Sequence, residues 1–95
     1  MQEMNAQIQK ADIQRRGKSL HVTLHLGYGD SSGQGFRLPP SDLHELLSTL
    51  GAQYFSQLEG MHVRAVKEDG WHGRIRGVKH ITKDRGYMLA RDGEG

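Results

Sequence analysis

The sequence predicts an α+β domain: an antiparallel sheet of five or six strands with one main α-helix packed on one face. Two stretches carry that expectation. Residues 19–28 alternate strictly, with Leu20, Val22, Leu24 and Leu26 against His21, Thr23 and His25. From Leu20 to Leu26 this period-two alternation, free of Gly and Pro, is a half-buried strand. Further on, Leu43, Leu46, Leu47 and Leu50 recur at helical spacing and form one apolar stripe. Leucine stripe and leucine strand face are chemically matched, so the two are expected to pack together. Short alternating segments between Gly-rich turns complete the pattern.

The 95 residues suit a single domain, with residues 1–5 and 91–95 expected to fray. Residues 7–15 carry spacings that suit either a helix or a strand. The Arg-Arg-Gly-Lys turn at 15–18 favours a strand paired with the next one, Gly17 supplying a positive φ. Ile8 and Ile13 have opposite parity. Such a strand needs a bulge, or it leaves one isoleucine exposed. Residues 27–35 hold four glycines and read as a turn. A short third strand at 36–38 stops at Pro39-Pro40. Ser41 is the expected N-cap of the helix and Gly51 its left-handed terminator.

Residues 53–58 read as a helical turn, and 61–67 as a strand with Met61, Val63 and Ala65 on one side. Glu68-Asp69-Gly70 is a turn. A long strand is expected over 71–82, with Gly77 allowing a bulge that brings Val78 inward. A turn at 83–86 leads to a last edge strand over 87–90.

Composition narrows the function classes. With 25% charged residues of both signs and a net charge of +2, the chain reads as folded, soluble and mildly basic. No cysteine is present, which removes disulfides, thiol catalysis and zinc ribbons. No apolar run approaches the roughly 18 residues of a membrane span, and the first ten residues lack an apolar leader stretch. A cytoplasmic protein without membrane attachment is the expectation.

No catalytic or cofactor motif stands out. The Gly cluster is followed neither by Lys nor by a helix, as phosphate-binding loops require. The serines lack a nucleophile elbow. His21 and His25 lie four apart on one strand, about 13 Å between Cα atoms, too far to share a metal ion. No metal and no cofactor are therefore expected, and no enzymatic activity. The collective feature is a sheet face that would display His21, Thr23, His25, Arg64, Arg74 and Arg76. Arginines there suit carboxylates and phosphates, and the face lacks the aromatic pairs of sheet-type RNA binders. An acidic protein surface is the better fit and nucleic acid the alternative. An open strand edge would permit either a monomer or a homodimer.

Several short motifs recur in a familiar order. They are Gly-Gln-Gly-Phe at 33–36, Leu50-Gly51, Leu58-x-Gly60-x-x-Val63-Arg64, Gly73-x-Ile75 and His80-x-x-x-Asp84-Arg85. Over residues 13–87 this resembles a family of small uncharacterised phage and prophage proteins. The chain departs from that pattern at Arg37, Phe55 and Gly86-Tyr87. The resemblance implies a phage or prophage origin. By analogy of gene class it implies a non-enzymatic inhibitor of a host factor, an anti-CRISPR or other anti-defence protein. Gly33, Gln34, Gly35 and Phe36 are then a second candidate contact, as a loop.

Overall fold

The computed structural model describes residues 1–29, 32–69 and 73–89. Six strands form one antiparallel sheet: β1 (Gln2–Arg16), β2 (Ser19–Gly27), β3 (Gly33–Leu38), β4 (His62–Lys67), β5 (Ile75–His80) and β6 (Gly86–Met88). Their spatial order is β3-β2-β1-β4-β5-β6. The single α-helix is α1 (Leu43–Leu50), led in by a 3-10 turn (Pro40–Asp42) and followed by another (Phe55–Leu58). This is the α+β arrangement that the alternation and the leucine stripe predict.

β1 holds the sheet together. Residues 7–16 pair with β2, and residues 2–7 pair with β4 on the other side. Residues 2–5 are thus ladder residues rather than a frayed end. The pairing with β2 shifts between Ile8 and Lys10, which makes Gln9 a bulged residue. The bulge switches parity: Ala6 and Ile8 are buried before it, and Ala11 after it. Ile13 then shares the inward face with Val22, yet it is 51% exposed. The β1–β2 hairpin runs on past the end of the core.

A second bulge makes Arg76 the extra residue of β5, between Lys67↔Ile75 and Val66↔Gly77. It turns both Ile75 and Val78 inward, as the glycine at 77 suggests. Residues 71, 72 and 90, included in the expected last strands, and Gly70 of the expected turn lie outside the described residues.

The sheet curls. β3 and β5 have three strands between them in the ladder, yet they touch. Gln34 of β3 donates from its amide nitrogen to the Gly73 carbonyl at 2.9 Å, and its amide oxygen accepts the Tyr28 hydroxyl at 2.6 Å. Only glycine fits at 73, because a Cβ there would overlap the Glu68 carbonyl. Phe36 and Tyr87, from opposite edges of the sheet, meet edge to face at 6.2 Å inside the curl.

The core joins the two leucine sets: Val22, Leu24 and Leu26 with Leu46, Leu50 and Leu58. α1 lies nearest β5 and β6, while the 3-10 turn before it packs on β2. Ser41 is inside that turn and does not cap α1; Asp42 precedes the helix and makes no capping bond. The Asp42 carboxylate is used elsewhere, accepting the buried Tyr87 hydroxyl at 2.5 Å. Burial and that carboxylate push the Tyr87 hydroxyl well above its usual pKa. Gly51 ends α1 in the left-handed region, φ 75°.

Candidate functional site

Burying Val22, Leu24 and Leu26 turns His21, Thr23 and His25 to the outer face of β2. The register fixes their neighbours. His21 lies beside Gln14, Thr23 between Asp12 and Arg37, and His25 between Lys10 and Gly35. His25 Nε2 is 3.8 Å from Asp12 Oδ2, and Lys10 Nζ is 3.6 Å from the same oxygen. One carboxylate therefore lies between an ammonium and an imidazole. Arg37, and Arg16 at the end of the same face, form no ion pair with any described residue. Among the described residues, the outer face of the β1-β2-β3 ribbon thus displays more positive than negative charge.

A shallow, open depression of about 230 Å³ interrupts this face, lined by Gln9, His25, Leu26, Gly33, Gln34 and Gly35. Its origin is local. Gly35, directly across from His25, has no side chain, and a Cβ there would meet nothing within 4 Å. On the other side the β1 bulge throws Gln9 over Gly27 and raises a wall. Imidazole and amide groups therefore surround a floor of exposed strand backbone. The arrangement can accept hydrogen bonds and negative charge from a protruding group; it is too open to wall off a reacting atom from water.

The two candidate sets from the sequence are partly united and partly divided. His25 meets Gly33, Gln34 and Gly35 at the depression. Those three residues and Phe36 belong to β3, not to a loop. Phe36 is 2% exposed and stacked in the core, so it is out of a partner's reach. Gln34 spends both ends of its amide on Tyr28 and Gly73.

Arg64 lies opposite Asn5, five residues along β1 from the partner of His25. That is about 16 Å at strand rise. Its guanidinium is consumed within the fold: Nε donates to the His80 carbonyl at 2.9 Å, Nη1 to Glu3 at 3.1 Å, and Nη2 to the Lys83 carbonyl at 3.0 Å. Lys79 Nζ sits 2.7 Å from the second oxygen of Glu3. The hydrogen bond from Lys79, with the charges of Lys79 and Arg64, holds the Glu3 carboxyl below its usual pKa. Arg76 is largely covered and 3.9 Å from Glu68, whose backbone and side chain also bond the backbone of Arg74. Arg64, so far along the sheet and held by its own partners, does not join the histidines of β2, while Arg74 and Arg76 are tied to Glu68 at the β4–β5 end.

Arg37, Lys10 and Gln9 are face residues that sequence reasoning missed. Arg37 was legible, since it alternates with buried Phe36 and Leu38. Lys10 and Gln9 were not, because the bulge resets which residues of β1 face outward. At the curled end Lys67, 7% exposed, places its ammonium 5.8 Å from the centre of the Tyr28 ring. Among the described residues no three His, Asp or Glu side chains converge on one point, and no helix is long and apolar enough to cross a membrane. No protein-family model, no curated protein and no solved structure matches the chain.

Proposed function

We propose that this chain is a non-enzymatic binding protein whose contact surface is the outer face of the β1-β2-β3 ribbon. Its partner is a protein that presents acidic side chains. One observation carries the reading: Lys10, Arg16, Arg37, His21 and His25 share that face with one carboxylate among the described residues, Asp12. Positive charge gathered on one exposed face, around a depression with exposed backbone, suits carboxylates approaching from outside. The resemblance to small phage and prophage proteins makes a host factor the expected partner. Steric inhibition of that factor is the expected effect, with a CRISPR effector as one instance.

Affinity purification from a bacterial lysate, with and without nuclease, tests the proposal. A captured protein should survive nuclease treatment and be lost with Arg37→Glu and Lys10→Glu, while the melting temperature of the variant stays unchanged. A partner retained by that variant refutes the surface. Nucleic acid binding through the same cations predicts material that nuclease removes, and an affinity falling steeply with salt as phosphate contacts release counterions.

A further inference from the structure

We propose that two copies of this chain pair antiparallel through the free edge of β1, about a two-fold axis at Gln14. The edge is identified by its hydrogen bonds. On the side away from β2, Ile8 exchanges bonds with Gly60 and Met61, and the Ala11 N–H donates to the Glu59 carboxylate at 3.1 Å. Alternation along an antiparallel strand then points the N–H and C=O of Ile13 and Arg15 to that same side. Among the described residues, no strand pairs with β1 there beyond Ala11. The hairpin therefore carries four unpaired backbone groups along residues 12–16, with Ile13 and Leu20 exposed on its inward side.

Charge selects the occupant and the register. The hairpin tip holds Arg15, Arg16 and Lys18, none of which forms an ion pair with a described residue. Such a tip repels most strands laid along it. Centring the pair on Gln14 turns this to advantage. Asp12 then lies opposite the partner's Arg16, twice by symmetry. Ile13 lies opposite the partner's Arg15, so that the four free backbone groups of each copy are all used, in four hydrogen bonds across the pair. The partner's Arg15 also comes within diagonal reach of Glu59. Centring on Ile13 would set Arg16 against Lys10, and centring on Arg15 would set two arginines face to face. The Gln14 register also uses only the free stretch and leaves the Glu59 contact with Ala11 intact. Joined so, the two ribbons form one six-stranded surface with both cationic faces on the same side. The pairing stands independently of any partner that this face binds.

So short a ladder gives a weak dimer, with a Kd of about 10 µM to 1 mM. Sedimentation equilibrium of the intact chain should show monomer and dimer in exchange. Asp12→Arg should weaken association about tenfold or more, and Asp12→Arg with Arg16→Asp should restore it. Directly opposed residues of a non-hydrogen-bonded pair have Cα atoms about 4.5 Å apart, within disulfide range. In this cysteine-free chain, Gln14→Cys should therefore oxidise to a covalent dimer, and Ile13→Cys should not. A single monomeric species up to about 1 mM overturns the proposal. So does a dimer that is indifferent to Asp12→Arg, or one that cross-links through residue 13 in preference to 14.

Discussion

Gln34→Ala isolates the device that closes the curled sheet. Gln34 bridges β3 to the segment before β5 with two hydrogen bonds, to the Tyr28 hydroxyl and the Gly73 carbonyl. Each contributes a net 0.5–1.5 kcal/mol or so, and truncation leaves both partners unmatched in a partly buried setting, so the loss is about 1–3 kcal/mol. For a domain near 100 residues that lowers the melting temperature by about 4–8 °C per kcal/mol. Urea titration followed by circular dichroism should move the midpoint with the slope unchanged. Tyr28→Phe removes one of the two bonds and should cost about 0.5–1.5 kcal/mol. The double variant should cost less than the sum of the two, because the residues share a contact. A change under about 0.5 kcal/mol for Gln34→Ala, or strict additivity with Tyr28→Phe, refutes the bracing role.

Tyr87→Phe removes the hydroxyl bonded to the Asp42 carboxylate and should destabilise by about 1.5–3 kcal/mol in the same titration, as a bond to a charged acceptor does. Leu24→Asp and Leu46→Asp each put an unpaired carboxylate at a site with no solvent exposure, and neither should give a cooperative melt. His80 Nδ1 accepts the backbone N–H groups of Thr82 and Lys83 at 3.2 and 3.1 Å. Burial, then the charges of Arg85, Lys83 and Arg64, lower its pKa from 6.5. The folded chain thus binds fewer protons than the unfolded one. This contribution to stability is full above pH 6.5 and is lost as pH falls through the lowered value. An NMR titration should find His80 below 6.5, and the amides of Thr82 and Lys83 should lose exchange protection as it protonates.

Element types were legible in the sequence wherever a local periodicity faced one core. β2 reads directly because Val22, Leu24 and Leu26 are buried and its histidine face is not, although Leu20 lies past the core and is exposed. The stripe of α1, the Gly51 terminator and the bulge beside Gly77 follow from the same logic. Local periodicity misleads where two elements compete for one residue. Ser41 reads as the helix cap, but it lies inside the 3-10 turn, and Asp42, which does precede the helix, is taken by Tyr87, a residue 45 positions away. The glycine cluster reads as a loop because glycine is a turn signal. Its second half is nevertheless strand, since Phe36 and Leu38 are inward and Gln34 bridges to Gly73.

The sequence by itself determined which residues are apolar, how they alternate, and hence that a sheet and a helix bury one leucine-rich core. It did not determine which charges stand together. Strand order, the Gln9 bulge and the curl decided that, by placing β1 between β2 and β4 and by folding Arg64 and Arg76 into ion pairs of the fold. The physical reason is range. Alternation is a property of neighbouring residues, whereas the company a guanidinium keeps depends on strands far apart in the chain, and a one-residue bulge reverses every outward assignment beyond it.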